Sequence, residues 1–319
     1  MSFSSLVPRG IPGTVEYVLK TDLLAGMMEV RSTGVGTGFL RLQKENRDST
    51  PLPKPPPRTQ HRIAGFLDRE TERIDALIDK KRRLIDLLEE KRTATITHLT
   101  SVVHAPLAKL GRFANLMPGY AFSSASFSDR GLRLLRGVNL SPEAVRWDDT
   151  VHWVPDDPGV MSTYSLEEND IVLGMDRPWI GGGMRVATIS HDDVPSLLVQ
   201  RVARLRTGPG LDQDFLYAVL RSLAFKAYFD PILTGISVPH ISGEQILDYQ
   251  CPVPTMREQR SIAGDIEHVT GYLNSTTQRL TAQLTLLAEC REALITAAVT
   301  GEIDVDAFDS DRNLEAANP

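Results

Sequence analysis

A long helix-forming segment occurs twice in this chain, and that repeat limits the fold more than any other feature. Ile63-Ala64-Gly65 returns as Ile262-Ala263-Gly264, at an offset of 199 residues. The same offset relates further pairs over a full helix length: Leu67 and Ile266, Ile74 and Leu273, Leu88 and Leu287, Arg92 and Arg291, Ala94 and Ala293, and Ile96 and Ile295. A register kept over this length indicates that one structural unit has been duplicated.

Both copies, the first over residues 62–104, carry apolar residues at seven-residue intervals. The stripe of the second copy holds Ile266, Leu273, Leu280, Leu287 and Leu294, and that of the first holds Leu67, Ile74, Leu88 and Val102, joined by Ile78, Ile85 and Leu99. Such a narrow stripe is typical of a coiled-coil seam. Because the copies form an internal repeat, we expect two long helices packed antiparallel through the seams Leu67/Ile74/Ile85/Leu88 and Ile266/Leu273/Leu280/Leu287.

The stretch between the repeated helices has a different pattern. Short β-type runs begin at Leu132, Asp170 and Leu197 and are bounded by Gly, Asp and Pro, and residues 215–229 return to helical spacing. This pattern predicts a mixed α/β module of about 150 residues, the size of an ordinary domain. The predicted fold class is therefore α/β mixed, with one globular α/β module and two long helices packed as an antiparallel coiled coil.

The repeat unit is larger than its helix. Tyr17-Val-Leu-Lys-Thr-Asp-Leu matches Tyr217-Ala-Val-Leu-Arg-Ser-Leu, a loop over residues 32–40 has its counterpart over 233–241, and a proline-spaced run then precedes each long helix. A helix is expected over residues 17–29, and Thr255 with Glu258 forms a capping box at the start of the second long helix. The globular module precedes only the second copy, so the first half looks truncated.

Composition restricts the function classes. The chain has 319 residues, 41% hydrophobic and 24% charged, with neither a run of about 18 apolar residues nor a signal-peptide pattern. Cys251 and Cys290 give neither a disulfide framework nor a zinc spacing, so the cytoplasm is the expected compartment. A net charge of −6 argues against binding nucleic acid through overall charge but is compatible with a local basic face.

No motif predicts catalysis, a cofactor or a metal ion. The Gly34-x-Gly36-x-Gly38 pattern follows a predicted helix and precedes a proline-rich linker, which favours a turn over a nucleotide or methyl-donor site. The triple glycine 181–183 is either flexible backbone or a place where the backbone approaches a phosphate. The histidines lack metal-ligand spacing.

Nucleic-acid contact has better candidates, on predicted loops and strand ends. Arginine and asparagine can make bidentate contacts with purine edges, and aromatic side chains can pack on sugars or bases. The alternative for each is a solvated surface role. The predicted DNA-binding residues are Tyr120, Arg136, Asn139, Arg177, Trp179, Arg185, Ser237 and His240.

These features together resemble the specificity (S) subunits of type I restriction–modification systems. The residues that carry the resemblance are 60–78 with 84–92, 258–264 with 290–304, and, in the module, Leu107-Ala-Lys-Leu-Gly-Arg-Phe-Ala with Gly119, Arg133-Leu-Leu-Arg-Gly-Val-Asn, and Ser237-Val-Pro-His-Ile-Ser. Members of that family have two target-recognition domains, each followed by a long conserved helix, and the two helices pack as a spacer. Here only the tail of the first domain, about residues 13–49, is recognisable.

The resemblance implies a domain organisation for the chain and a division of functions among subunits. Residues 1–60 would be the remnant of the first recognition domain with a linker, 61–104 the first long helix, 105–256 a target-recognition domain, 257–302 the second long helix and 303–319 a tail. The chain would read double-stranded DNA without catalysing a reaction, and it would assemble with a modification (methyltransferase) subunit and a restriction subunit, with self-association through the long helices as a further expectation. The alternatives are a coiled-coil adaptor without DNA reading and a methyltransferase in its own right, although the methyl-donor motif is missing.

Overall fold

The computed structural model describes Tyr17 and residues 32–34, 40–42, 55–181, 183–233, 239–305 and 307. These residues form two compact units, unit 1 from residues 1–86 and 276–319 and unit 2 from residues 87–275. The predicted helix over 17–29 lies outside the described residues apart from Tyr17, as do Gly36, Gly38 and the predicted site residue Ser237. No helix in the described part is both long and apolar enough to cross a membrane.

Six α-helices, sixteen short strands and four short 3-10 helices have their bounds among the described residues. The helices are α1 (Pro57–Thr100), α2 (Pro158–Tyr164), α3 (Gln213–Leu220), α4 (Leu223–Leu233), α5 (Gly243–Asp248) and α6 (Met256–Thr300). The strands are β1 (Ser32–Gly34), β2 (Leu40–Leu42), β3 (Leu107–Lys109), β4 (Ala114–Pro118), β5 (Phe127–Ser128), β6 (Leu132–Leu135), β7 (Leu140–Ser141), β8 (Ala144–Val145), β9 (His152–Trp153), β10 (Ile171–Gly174), β11 (Trp179–Ile180), β12 (Gly183–Met184), β13 (Val186–Thr188), β14 (Ser196–Leu198), β15 (Val202–Thr207) and β16 (Gln250–Pro252). The stretch 32–40 expected as a loop thus contains a strand at its start, paired antiparallel as β1 with β2.

The ends of the long helices follow from local chemistry. Helix α1 begins at Pro57, since proline at the first helical position removes an N–H that has no partner there anyway. It ends at Thr100, before the predicted His104, because the residues that follow turn toward Pro106, which cannot extend a helix. The predicted capping box is confirmed, since the Glu258 carboxylate accepts hydrogen bonds from the Thr255 amide (2.9 Å) and hydroxyl (2.7 Å).

Within unit 1 the two long helices pack antiparallel, as predicted. Their contact is a buried cluster of apolar side chains: Ile63, Phe66, Leu67, Ile295, Ala298 and Val299. Further along, Arg291 donates to the Asp75 carboxylate (2.9 Å). Lys81, the polar residue on the first seam, donates to the Gln283 side chain (2.6 Å). Residue numbers rise along α1 as they fall along α6, which confirms the antiparallel arrangement.

Unit 2 repeats these contacts with the roles of the two helices exchanged. Ile96 on α1 and Ile266 on α6 pack with Ala218 of α3, and Leu99 and Ile262 border the cluster. At the offset of the sequence repeat, these α1 and α6 residues correspond to Ile295, Leu67, Ala298 and Ile63 of unit 1. Polar contacts recur too: the Gln60 and Gln259 amides each donate to the carbonyl of a proline five residues earlier, at 2.6 and 2.8 Å. The duplication in sequence is therefore a duplication of packing.

The module in unit 2 is built on two four-stranded sheets. The first has the order β13-β10-β15-β4 and is antiparallel throughout; the second has the order β14-β6-β9-β5, with β14 parallel to β6. Phe215, Phe225 and Phe229 of α3 and α4 are fully buried in the largest core, which includes residues of the first sheet. The predicted run from Leu197 to Leu205 is two strands, because the chain turns at residues 199–201.

The seam gives a direct test of the helix packing. Leu280 is 9% exposed, so Leu280→Asp places a carboxylate in an apolar contact and should lower the free energy of unfolding by about 3–5 kcal/mol. Leu286→Asp is the matched control, because Leu286 on the same helix is 63% exposed and its change should stay within about 0.5 kcal/mol. Equal denaturant midpoints for the two variants would contradict the seam.

Candidate nucleic-acid interface

Several loops of the module lie together where strands of the two sheets end. In the first sheet, Gly174 at the end of β10 pairs with Val202 at the start of β15, Pro118 at the end of β4 pairs with Ala203, and Val186 begins the neighbouring β13. In the second sheet, Leu135 and Leu198, the last residues of β6 and β14, pair in parallel. The loops that leave these strand ends therefore lie together, and we call residues 119–122, 136–139, 175–181, 199–201 and 239–241 the loop edge.

Hydrogen bonds between backbones hold the loop edge in a fixed arrangement. The Gln200 amide donates to the Tyr120 carbonyl (2.8 Å) and the Val199 amide to the Leu135 carbonyl (3.1 Å). The Arg177 amide donates to the Pro239 carbonyl (2.7 Å). Five chain segments that are far apart in sequence are thereby placed next to one another, on sheet ends where a groove can be reached.

Two arginines of the loop edge have left-handed backbone conformations. Arg177 has φ 42° and Arg201 has φ 67°, in a region that residues other than glycine rarely occupy. Both side chains are exposed. Backbone conformations of this kind cost roughly 1–3 kcal/mol and cluster at functional sites, where the surrounding structure maintains them. Their occurrence at both arginines favours a binding role for this edge.

Asp176 organises the charged side chains of the loop edge. Its carboxylate accepts hydrogen bonds from Arg201 and from the His240 ring (2.6 Å). Burial alone would raise the pKa of Asp176, but the hydrogen bonds from Arg201 and His240 outweigh it and hold that pKa below its ordinary value. The carboxylate therefore stays ionised and orients two side chains that can donate hydrogen bonds.

Arg185 and Asn139, two of the predicted site residues, are buried and engaged within the fold. The Arg185 guanidinium donates to the Leu140 carbonyl (2.9 Å) and the Asp176 carbonyl (2.9 Å), and burial lowers its pKa. The Asn139 amide group donates to the carbonyls of Arg146 (3.0 Å) and Asp149 (2.9 Å), and its oxygen accepts from the Arg136 amide. Their placement favours shaping of the loop edge over direct contact with a base.

The other predicted residues differ in accessibility. Arg136 donates to the carbonyl of Asp149 (2.7 Å) and pairs with its carboxylate, and Trp179 packs against the buried rings of Phe225 and Phe229. Tyr120 is partly exposed beside Phe122 and Tyr164, and His240 is exposed. All seven described members of the predicted set thus lie on or directly beside the loop edge, with Tyr120, Arg177 and His240 at its surface.

Asp176 and Arg201 are not among the predicted site residues. Arg201 stands in a run of β-type residues that predicts one continuous strand, whereas the structure has a turn at residues 199–201. The sequence signal that was available is the polar pair Gln200-Arg201 between two apolar runs, which is typical of a turn between buried strands.

A largely buried ionic cluster lies where the module joins α1. Glu143, in the turn between β7 and β8, accepts hydrogen bonds from Arg92 of α1 and from Arg221 at the end of α3 (2.8 Å). The Arg221 guanidinium also stacks on the ring of Tyr217. Burial raises the pKa of the Tyr217 hydroxyl to about 12. The Glu143 amide donates to the Val186 carbonyl (2.8 Å), so this cluster links α1 to the strand that begins beside Arg185.

The fold is similar to that of chains in solved structures of type I R-M systems. The fold is similar to a chain in a solved structure of a type I R-M system that concerns complex assembly and conformational transition, with a TM-score of 0.74, 14% identity, and coverage of 92% of this chain and 72% of that one. It is also similar to the crystal structure of the HsdS subunit from Thermoanaerobacter tengcongensis, with a TM-score of 0.52, 16% identity, and coverage of 92% and 71%. At these identities the likeness concerns the fold alone.

The sequence relatives are type I specificity subunits. The chain is 37% identical over 167 residues to the type I restriction enzyme EcoAI specificity subunit of Escherichia coli, which covers 52% of this chain and 28% of that protein. It is 28% identical over 171 residues to the MjaVIII specificity subunit of Methanocaldococcus jannaschii, which covers 52% and 40%. The matches span less than half the length of these curated relatives, and no protein-family model matches the chain. The resemblance to type I specificity subunits is therefore confirmed.

The role of Asp176 can be tested through its pH dependence. Its lowered pKa in the folded state means that ionised Asp176 stabilises the fold at neutral pH and that this contribution is lost as the pH falls through that lowered value. The free energy of unfolding of Asp176→Asn should therefore be about 1–3 kcal/mol lower than that of the wild type at pH 7. The difference should shrink in acid.

Denaturant titrations from pH 7 to pH 3 provide the measurement. The control is Asp129→Asn, which changes an exposed carboxylate in the same module. A difference that stays constant over this pH range would show that the Asp176 carboxylate is not the group that holds Arg201 and His240.

Proposed function

We propose that this chain reads a DNA sequence on behalf of a type I restriction–modification complex and directs its modification and restriction subunits to that sequence. Support comes from the sequence relatives, which are type I specificity subunits, and from the fold, which is similar to that of a chain in a solved type I R-M structure. Methylation and cleavage would be carried out by the partner subunits. The observation that carries the DNA-reading role is the loop edge, where exposed arginines from separate segments lie side by side.

The chemistry of the loop edge suits contact with a duplex. Arg177 and Arg201 can neutralise phosphates or donate two hydrogen bonds to a guanine edge, and the Asp176 carboxylate limits how Arg201 is oriented. Tyr120 offers a partly exposed ring for packing on a sugar or base. The buried Arg185 and Asn139 would hold the loops in position, so that binding need not order them first.

The charge distribution agrees with selective binding. The net charge of the chain is −6, so a duplex is repelled by the molecule as a whole and attracted only where cations are concentrated. Phosphate contacts would fix the register of the duplex, and a few side chains would then discriminate between bases.

Two single variants test this reading surface. Arg177→Ala and Arg201→Ala should each weaken duplex binding by about 1–3 kcal/mol, and for a base contact they should relax the preference at one position of the target. For a phosphate contact, all sequences should weaken alike and the slope of log affinity against log salt should fall by about one. Fluorescence anisotropy of the co-expressed complex at several salt concentrations gives the affinities, and sequencing of methylated DNA gives the target.

The matched control is Arg82→Ala on α1. Arg82 is 68% exposed and pairs with Asp79, much as Arg201 is 67% exposed and pairs with Asp176. Its loss should leave affinity and salt slope unchanged. Equal behaviour of the loop-edge and control variants would remove the loop edge as the reading surface, and a wild-type chain whose duplex binding ignores salt would instead favour an adaptor without DNA reading.

The long helices provide a surface for the modification subunit. In unit 2 a shallow groove between α1 and α6 is lined by residues that include the apolar Ala94, Leu99 and Val269 and the charged Lys91 and Asp265. A groove that combines apolar and charged side chains can bind a partner helix. The proposed occupant is the modification subunit.

Ala94→Arg fills this groove without disturbing the core, since Ala94 is exposed. The variant should fold normally but lose most of its co-elution with the modification subunit in size-exclusion chromatography at micromolar concentration. Ala76→Arg, at an exposed alanine of α1 outside the groove, is the control and should co-elute like the wild type. Undiminished co-elution of Ala94→Arg would contradict the assignment.

A further inference from the structure

The hairpin of β11 and β12 presents an apolar side chain where a solvent-facing residue would ordinarily be polar. Successive residues of a strand face opposite sides, and Trp179 faces the core, where it packs on Phe225 and Phe229. Ile180 faces away and is 50% exposed. The adjoining Gly181 has φ 55°, and among the described residues no atom apart from its chain neighbours lies within 4 Å of the position that a Cβ would occupy. The described part of the hairpin therefore presents one half-exposed apolar side chain, Ile180.

The base of the hairpin is firmly attached. Met184 is buried opposite Trp179, and a Cβ at Gly183 would lie 2.9 Å from the Pro142 ring, so the hairpin sits directly on the turn between β7 and β8. The Arg185 amide donates to the Pro178 carbonyl (2.7 Å) and closes the base. Ile180 is thus held in a fixed position relative to Arg177, three residues earlier on the loop edge.

The loop edge contains a second exposed aliphatic side chain. Val138, between Arg136 and Asn139, is 67% exposed, and the neighbouring Gly137 has the Arg185 guanidinium 3.5 Å from its Cβ position. Aliphatic groups interleaved with arginines at this spacing do not suit phosphates, which require donors. They suit the floor of the major groove, where thymine alone carries a methyl group and where a two-stranded ribbon fits.

We propose that Ile180 contacts the C5-methyl group of a thymine in the major groove, with the hairpin of β11 and β12 entering that groove beside Arg177. This inference rests on the proposed function and adds a specificity-determining residue that recognises an apolar group on the base. Duplex DNA is favoured over a protein partner because the apolar tip is small, ends in glycine and lies among exposed cations. A protein interface of ordinary size would need a larger apolar patch at its centre.

The test is a double-mutant cycle between protein and DNA. The wild-type complex with the modification subunit is first used to define the methylated target, and each thymine of that target is then replaced by uracil, which differs only by the missing methyl group. For the wild type, one replacement should weaken binding about three- to tenfold, as expected for one buried methyl group. Ile180→Ala should weaken binding to the thymine target by a similar factor and should no longer distinguish thymine from uracil at that position.

The control is Leu223→Ala. Leu223 is 47% exposed. Its backbone amide donates a hydrogen bond to the Thr97 hydroxyl on α1, away from the loop edge. This variant should discriminate thymine from uracil as the wild type does. Size-exclusion chromatography of Ile180→Ala with the modification subunit should give unchanged co-elution, and its melting temperature should match that of the wild type.

Each other outcome overturns the inference. If Ile180→Ala still discriminates thymine from uracil, or if no uracil replacement affects the wild type, Ile180 does not read a methyl group. If Ile180→Ala loses co-elution, the hairpin belongs to a protein interface. Failure of the wild-type complex to methylate or bind any defined sequence would instead contradict the proposed function, so the two failures are distinguishable.

Discussion

The structure depends on the burial of one apolar stripe along two antiparallel helices. Leu67 and Ile266, equivalent residues of the repeat, are each almost fully buried, one in unit 1 and the other in unit 2. Equivalent residues of α1 and α6 exchange roles in these two apolar clusters, in which Ile63, Leu67 and Ile295 correspond to Ile262, Ile266 and Ile96. The helices are 44 and 45 residues long, and helices in proteins draw most of their stability from packing of this kind.

The attachment of the module to α1 uses charge as well as apolar contact. Glu143 binds Arg92 and Arg221 together, and the Nε atoms of both arginines are buried without a hydrogen-bond partner among the described residues. Burying ions is unfavourable unless they are paired, so the cluster specifies one orientation of the β7–β8 turn more than it stabilises the fold. That turn contacts the β11–β12 hairpin through Pro142 and Gly183, which connects the position of the loop edge to the helix.

The loop edge itself shows how a chain with net negative charge can present a cationic surface. Strands from two sheets end on the same side, and the turns that follow them carry Arg136, Arg177 and Arg201. Each carboxylate there is paired: Asp176 orients Arg201 and His240, and Asp149 binds Arg136. The acidic residues of the chain thus organise these cations, while Arg177 remains exposed at the surface. Polar positioning of this kind reduces the ordering that a bound duplex would have to induce.

The sequence by itself determined the long-range architecture. The repeat and the heptad spacing predicted the two long antiparallel helices, because helical periodicity is a local property that a linear sequence displays directly. The β-type runs bounded by Gly, Asp and Pro are a local pattern too, and they predicted the approximate positions of strands in the module. Only the tertiary structure decided which polar side chains are exposed and able to contact a ligand. Asn139 and Arg185 looked like Arg177 in sequence, yet they are buried and bonded to carbonyls that the chain brings from Arg146, Asp149, Leu140 and Asp176. Whether a side chain is satisfied internally depends on partners distant in sequence, and no local pattern records them.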